Sequence, residues 1–386
     1  MENKEIYAIS ILTSGIIGAG FFALPYITLK TGTLPILIFL VVFGGLSYFL
    51  HYLFIKVTVR TPDFIRFPGF VKMHLGKGAG NLSYILSFIG TFGSLLAYII
   101  VGGKFLNAIL SPYIGGTEAI WTLVYLATGA LLILTGGKFI AKISFWSLIA
   151  FFTITAWIYY SAQAQGVFNP ANFWVPIQQG ADFFLPYGII FFCFWGIDLV
   201  PELEELVFDE KEEDSKLHSH KKKSLARVVA ISSLICFVFF LFFTYLILGI
   251  SGDKTSQAAL EGIQIFLHPV VGKMALLLGL LTTLTSFVPF GLTLKKVMWY
   301  DLKINKYIAW GIVCLVPLAI YLSGAHDFVR VISLLGGTSL GISGTMVILM
   351  HKKIYPEKHY WGLPSVLIAL FVCGIFYEIL KSIGVL

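Results

Sequence analysis

The chain has 386 residues, of which 58% are hydrophobic and 12% are charged, and its mean hydropathy is +0.87. One soluble core cannot bury so much apolar surface, so the composition predicts an all-α integral membrane protein. The net charge of +7 does not indicate a nucleic-acid partner, because no polar segment is long enough to fold as a basic binding domain.

Eleven apolar segments come close to the roughly 20 residues that cross a bilayer as a helix. Together they predict a single transmembrane domain over residues 1–386. The first segment is too long for the core of a signal peptide and leads directly into the second, so we expect it to remain uncleaved. The predicted spans are 6–29, 34–59, 82–110, 119–135, 144–162, 185–200, 228–250, 270–294, 307–322, 329–350 and 361–380.

Glycines interrupt the first predicted span between Ser14 and Gly20, where three of them occur within six positions. Each glycine in a helix interior costs about 1 kcal/mol relative to alanine. An unpaired backbone group in hydrocarbon costs several kcal/mol more. Broken helices are tolerated in a membrane where their free amides and carbonyls line a binding cavity. The segment therefore predicts a helix break that binds a ligand.

A second interruption falls in the sixth span, between Phe192 and Glu202. Gly196 weakens the helix there, and Pro201 removes a backbone donor. Asp198 is the one acidic residue that we place well inside a span, at a cost of at least about 2.5 kcal/mol, which makes it a functional candidate. The alternative is a kinked helix in which Asp198 bonds to a neighbouring helix or to water.

The two interrupted spans occupy matching places and predict an internal repeat. Residues 6–162 and 185–350 would each contribute five spans in opposite orientations, with 361–380 as an additional helix. Basic residues predict the orientation, because 21 of the 27 fall on the side of the N-terminus. The positive-inside rule then makes the N-terminus cytoplasmic and the C-terminus extracytoplasmic, in the plasma membrane.

The remaining polar and cysteine residues give little sign of an enzyme. The cysteines form no CxxC pair, so we expect buried, apolar thiols and no metal site. We place the histidines at span ends or in loops, which argues against a membrane di-iron or zinc enzyme. Residues 209–224, with an acidic cluster before three lysines, predict a mobile cytoplasmic loop. The cysteines are Cys193, Cys236, Cys314 and Cys373, and the histidines are His51, His74, His218, His220, His268, His326, His351 and His359.

The run Ser14–Gly20 followed by Phe21, Phe22, Ala23, Leu24 and Pro25 resembles the first-helix signature of the amino acid/polyamine/organocation superfamily. It is closest to the amino acid/auxin permease and aromatic amino acid permease branches. The resemblance extends to Trp195–Asp198 with Pro201 and Glu202, to Gly336 and Gly337, and to Gly137, Lys138 and Lys142. It implies 11 transmembrane helices with the five-plus-five inverted repeat of the leucine transporter, broken helices 1 and 6, and alternating access to one central site.

The resemblance also implies roles for individual residues in binding an amino acid zwitterion. The amides of Gly15, Ile16, Ile17 and Gly18 would bind its carboxylate. The carbonyls of Ser14, Phe194 and Trp195 would bind its ammonium group. Tyr98 and Ser94 in span three would face the pocket, although Tyr98 is equally well read as a packed aromatic. The substrate-binding candidates are Ser14, Gly15, Ile16, Ile17, Gly18, Gly20, Ser94, Tyr98, Phe194, Trp195, Gly196 and Asp198.

The coupling ion is sodium or a proton. In sodium-coupled members of the superfamily a Ser/Thr pair in helix eight contributes to the ion site, and Thr282, Thr285 and Ser286 have the i, i+3, i+4 spacing of one helix face. Proton-coupled members can carry a lysine in helix five, which is absent from 144–162 here. Sodium is therefore favoured, while a proton on Asp198 stays open. The alternative for the hydroxyls is bonding to their own helix.

These features predict a secondary transporter that couples an amino acid to an ion and needs no other cofactor. The aromatic side chains of Phe192, Phe194 and Trp195 favour a neutral amino acid as the substrate, and a large or aromatic one would suit them. An amino acid-sensing receptor of the same fold is the alternative. An enzyme is disfavoured, because Asp198 has no convergent acid, base or nucleophile. The expected partners are the substrate and membrane lipid.

Overall fold

The computed structural model describes residues 3–61, 65–135, 140–178, 182–208, 215–356 and 362–382. Within these ranges the secondary structure is helical, without a strand. The α-helices are α1 Asn3–Ile16, α2 Leu24–Thr31, α3 Thr33–Arg60, α4 Phe67–Leu75, α5 Lys77–Ile114, α6 Glu118–Thr135, α7 Ile140–Ala164, α8 Pro186–Cys193, α9 Val200–Val207, α10 Ser215–Ser251, α11 Leu260–Ile263, α12 Pro269–Lys296, α13 Lys306–Leu322, α14 Phe328–Leu335, α15 Gly341–Ile354 and α16 Gly362–Ser382.

Seven helical segments of the described chain are long and apolar enough to cross a membrane, or eight if α1 and α2 form one bent span. The predicted spans at 119–135 and 307–322 are apolar helices of shorter length. The predicted span at 185–200 is divided between α8 and α9. Length and hydropathy thus explain most of the helices. Glycine and proline residues explain where the first and the sixth predicted spans are divided into two helices.

The helix ends gather at two faces of the molecule. We call one of them the basic face; it carries the start of α1, the segment before α4, and α9. Ion pairs lie at this face: Arg66 before α4 pairs with Glu205 of α9, and Arg227 of α10 pairs with Glu5 of α1. The opposite face carries the segment between α7 and α8 and the end of α16, where Lys381 pairs with Asp182.

Aromatic rings fix the chain beyond the end of α1. Phe21 and Phe22 lie in a short 3₁₀ turn, Gly20–Ala23, and are fully buried. Phe21 packs edge-on against Phe243 of α10, with ring centroids 4.6 Å apart, and Phe22 packs against Phe105 of α5 at 5.2 Å. Aromatic pairs of this kind add about 0.5–1.5 kcal/mol beyond their buried area. The turn is therefore anchored to two long helices.

Some local predictions are wrong. Residues 215–224 belong to α10 instead of a loop, because α10 continues beyond its apolar part, and 209–214 lie outside the described residues. His51 is inside α3 and fully buried, since α3 continues for nine residues beyond it. Cys373 is exposed on α16, unlike the other three cysteines. Gly137 and Lys138 lie outside the described residues.

Candidate functional site

The first break lies between α1 and the 3₁₀ turn that begins at Gly20. The two helical segments on either side are bent by 43°. The Ile17 amide donates to Thr13 O at 2.8 Å, and the Gly18 amide donates to Ile16 O at 2.8 Å. Gly15 and Ile16 remain inside α1. The amides predicted to bind a carboxylate are therefore in the helix or engaged with backbone carbonyls, because α1 runs further than the glycines suggest.

The second break lies between α8 and α9, where Phe194–Gly196 separates α8 from a short 3₁₀ turn at Ile197–Leu199. Ser47 of α3 donates a 2.7 Å hydrogen bond to Phe194 O. His51, one turn further along α3, hydrogen-bonds through Nδ1 to Ser47 O at 2.7 Å. A polar pair on α3 thus supports the second break.

Sequence reasoning did not identify Ser47 and His51. Their signal was available, because two polar residues four positions apart share a helix face in the middle of the span 34–59.

Glycines allow the two broken segments to pack directly against each other. A Cβ atom at Gly15 would lie 2.4 Å from Leu199 Cδ1, and one at Gly20 would lie 2.8 Å from Phe192 Cδ1. A Cβ atom at Gly196 would lie 2.9 Å from Ile16 Cγ1. These distances are shorter than carbon atoms tolerate without displacement. A side chain at any of these three glycines would force the facing side chain of the other break to move.

Two further helices meet the first break at Gly18. A Cβ atom there would lie 2.7 Å from Tyr98 Oη of α5 and 3.3 Å from Ser286 Oγ of α12. The Ser286 hydroxyl donates to Ser14 O at 2.8 Å and approaches Ile17 O at 3.4 Å. Gly18, Tyr98 and Ser286 thus form one cluster with the carbonyls of the break.

The other predicted hydroxyls bond within their own helices. Ser94 donates to Gly90 O at 2.8 Å, Thr282 to Leu278 O at 2.7 Å and Thr285 to Thr282 O at 3.1 Å. Of the α12 hydroxyls predicted to form an ion site, the hydroxyl of Ser286 reaches the first break in this structure. Such bonding to the preceding turn is common for serine and threonine in apolar helices.

A small cavity lies beside Ser286, between α1, α7 and α12. Ser14, Ile17, Ser147, Thr282 and Thr285 are among the residues that line it. Its volume is about 10 Å³, close to the lower limit for holding one water molecule. Leu148, Phe151 and Leu281 also line it, so its surface is mostly apolar, and it has room for no more than one water or one small ion.

Asp198 faces away from this cluster, toward the basic face. Trp195 Nε1 donates to Asp198 Oδ2 at 2.8 Å. Asp198 lines a separate small cavity with Arg66, Thr91 and Thr293. The structure therefore brings Trp195 and Asp198 together, and it separates Asp198 from the Gly18 cluster.

Four charged residues at the basic face form what we call the basic-face network. Arg66 lies 3.0 Å from Glu202 and 2.7 Å from Glu205, and Lys296 lies 2.6 Å from Glu202. Burial alone would lower the pKa of Arg66, but Glu202 and then Glu205 raise it above its usual value. The network ties the segment before α4 and the end of α12 to α9.

Among the residues that the structure describes, no group of three His, Cys, Asp or Glu side chains could hold a metal.

Comparison with known proteins identifies the family. The family model described as "Transmembrane amino acid transporter protein" matches residues 3–386. A search of curated proteins finds no match. Two solved structures share the fold. One is Mhp1, a nucleobase-cation-symport-1 family transporter in a closed conformation with bromovinylhydantoin bound; it is 10% identical, with a TM-score of 0.73 over 98% of this chain and 93% of Mhp1.

The other solved structure is MhsT in complex with L-phenylalanine, 14% identical, with a TM-score of 0.60 over 98% of each chain. At these identities the two likenesses show the fold alone. The family model covers almost the whole sequence, and the chain therefore belongs to the transmembrane amino acid transporter protein family.

Proposed function

We propose that this transporter carries a neutral amino acid together with sodium and exposes one central site alternately to the two faces. In this proposal the chain has eleven spans in two inverted five-span repeats, and α1–α2 and α8–α9 are the broken helices 1 and 6. The meeting of Tyr98, Ser286 and the Ser14 carbonyl at Gly18 is the observation that carries the proposal. These contacts join the first break to α5 and α12. A site that opens alternately to the two faces must lie between helices that can move relative to each other.

The substrate would lie between the two breaks. Its carboxylate would bind amides of the first break, which requires the Ile17 and Gly18 amides to leave Thr13 O and Ile16 O. Its ammonium group would bind the Phe194 carbonyl, in place of the Ser47 hydroxyl. The aromatic rings of Phe192 and Trp195 near the second break favour a neutral, large or aromatic side chain.

Sodium is the coupling ion that the oxygen atoms support best. The carbonyls of Ser14 and Ile17 and the hydroxyls of Thr285 and Ser286 are hard ligands, and they adjoin the small cavity between α1, α7 and α12. Thr285 would have to turn away from Thr282 O to bind the ion. Asp198 is a weaker candidate for a coupling proton, since it bonds to Trp195 and shares a cavity with Arg66.

The basic face would be cytoplasmic by the positive-inside rule, in the plasma membrane. The basic-face network would then close the cytoplasmic route in the present conformation, because it joins α9 to α12 and to the segment before α4.

Uptake into proteoliposomes tests the coupling. We expect an inward sodium gradient to drive accumulation of a radiolabelled neutral amino acid, and Ser286→Ala to abolish that dependence on sodium. Thr153→Ala is the matched control, because Thr153 is exposed on α7 and bonds only within its helix. Accumulation driven by a proton gradient alone would refute sodium coupling, and saturable uptake of glutamate but of no neutral amino acid would refute the substrate class.

A further inference from the structure

A buried glutamate on α16 lies outside the proposed substrate and ion sites. Glu378 is 4% exposed, although α16 ends only four residues later. Its Oε1 accepts a 2.7 Å hydrogen bond from Ser333 of α14. Buried ionisable side chains in spanning helices are rare and costly, which marks Glu378 as a candidate for function.

Glycines in the segments next to Glu378 leave room for its side chain. A Cβ atom at Gly337 would lie 2.2 Å from Glu378 Cγ, and one at Gly188 would lie 2.9 Å from Glu378 Oε1. A Cβ atom at Gly336 would lie 1.8 Å from the Gly188 carbonyl oxygen. Glu378 thus lies at a direct backbone contact between α8 and the π-helical turn Gly336–Leu340.

The Glu378 carboxylate also borders a cavity at the outer face, the face opposite the basic face. This outer cavity has a volume of about 660 Å³ and lies between α2, α14, α16 and the segment that ends at Leu185, the residue before α8. Side chains of both charges line it, so water fills it more readily than lipid does. Its charged lining residues are Lys30, Asp182, Asp327, Arg330, Glu378 and Lys381.

Two charged side chains act on Glu378 in opposite directions, since Lys381 favours its ionised form and Asp182 favours its neutral form. Lys381 pairs with Asp182 at 3.0 Å, and Tyr377 also donates to Asp182. Burial alone would raise the pKa of Asp182, but these hydrogen bonds and the charge of Lys381 hold it below its usual range. Tyr187 of α8 presents a buried hydroxyl without a hydrogen-bond partner among the described residues. Asp182 therefore stays ionised, while the direct partner of Glu378 is the neutral Ser333.

We propose that Glu378 is a proton-binding site of the outer cavity, and that protonation of its carboxylate holds α8 against the Gly336–Leu340 turn. The site takes one proton from the outer solution, and no other bond changes. A neutral carboxyl tolerates burial, whereas an ionised one gains hydration when α8 and the turn separate. This inference rests on the proposed function, since α8 is the outer half of a broken helix. Outer acid then closes the substrate route, and outer alkali favours its opening.

Cysteine modification tests the site without substrate or flux. In the full chain carrying Cys373→Ser, Leu185→Cys would place a thiol at the half-buried start of α8, and Gln178→Cys an exposed thiol at the same cavity. The measurement is the rate of reaction with a membrane-impermeant thiol reagent between outer pH 5.5 and 8. Dividing the rate at 185 by the rate at 178 removes the effect of thiol ionisation. We expect this ratio to fall at least threefold as the pH is lowered.

Glu378→Gln should keep the ratio low at every pH, because glutamine is neutral and of similar shape. Asp327→Asn is the matched control; it changes an exposed acid of the same cavity to another helix-capping residue and should leave the pH profile unchanged. If Glu378→Gln does not fold, Ser333→Ala provides a second test and should move the midpoint of the profile to higher pH, since it removes the donor that stabilises the ionised form.

Any of three results would overturn the inference. The rate ratio could show no dependence on pH in the parent, an unaltered pH profile in Glu378→Gln, or an unaltered midpoint in Ser333→Ala. Each of these outcomes leaves the proposed transport untouched. If the protein failed to transport amino acids, the modification rates could still be measured and would still test the inference.

Discussion

Gly18 is the residue at which the parts of the proposed site meet. Gly18→Ala would place a methyl group 2.7 Å from Tyr98 Oη and 3.3 Å from Ser286 Oγ. Overpacking of this kind costs about 1–3 kcal/mol, so we expect substrate affinity to fall about tenfold or more. Equilibrium binding of a labelled neutral amino acid to the purified protein measures the effect.

Two further variants separate steric crowding at Gly18 from a general effect of adding a methyl group. Gly45→Ala is the control, since a Cβ atom there meets nothing within 4 Å. Adding Tyr98→Phe to Gly18→Ala should restore part of the affinity, because it removes the atom closest to the new methyl group. Wild-type affinity in Gly18→Ala would remove the first break from the site.

Ser47 satisfies a carbonyl that has no partner further along its own helix. Ser47→Ala would leave Phe194 O buried without that donor, at a cost of about 1–3 kcal/mol. We expect the melting temperature to fall by a few degrees in a thermal unfolding assay. Ser10→Ala is the control, because the Ser10 hydroxyl is also buried but bonds within α1. An equal change in both variants would show that the second break does not depend on α3.

At this scale the sequence predicted helix breaks at Gly15, Gly18, Gly20 and Gly196, and the role of these breaks in binding a ligand stays a prediction. In the structure a Cβ atom at each of the four positions would crowd a neighbouring side chain. The polarity of Ser47 and Glu378 is visible in the sequence, but both were missed, since nothing local indicates which distant group a polar side chain will meet. Glu378 was also overlooked because it lies near the end of its span, where an acid is ordinarily exposed.

At the scale of elements, the basic-face network determines how the ends of α9 and α12 are held. Arg66→Ala would leave Glu202 and Glu205 without their buried partner. We expect a cost of about 1–3 kcal/mol, less than for a fully buried pair, because Glu205 is about a third exposed. In the proposed cycle this loss favours opening of the cytoplasmic route.

A thiol introduced by Thr91→Cys reports that opening, because Thr91 lines the cavity shared by Arg66 and Asp198. We expect Arg66→Ala to accelerate its modification from the basic face several-fold. Lys77→Ala, which changes an exposed lysine at the same face, should have no such effect. Equal rates in all backgrounds would mean that the network does not close this route.

Elements were more predictable than contacts. Apolar length located the long helices α3, α5, α10 and α12, because a lipid-facing helix must be apolar over most of its length. The start of α10 was missed, since residues 215–224 are polar and still helical. Apolar length gives no information about a helix that extends beyond the membrane.

At the scale of the whole molecule, the orientation predicts which residues each solution can reach. In a background with Cys373→Ser, Lys223→Cys should react only from the cytoplasmic side, and Thr117→Cys only from the outside. Both positions are exposed, at the basic face and the opposite face respectively. Labelling of intact and permeabilised cells with an impermeant thiol reagent makes the comparison. Reaction of both positions from one side would contradict the proposed topology.

Counterflow in proteoliposomes tests most directly whether one site is reached from both faces. Vesicles loaded with an unlabelled neutral amino acid, without any ion gradient, are diluted into a trace of the labelled compound. We predict a transient accumulation of label that is lost in Gly18→Ala and kept in Gly45→Ala. Saturable binding of the amino acid without any counterflow in the wild-type protein would contradict transport and indicate a receptor.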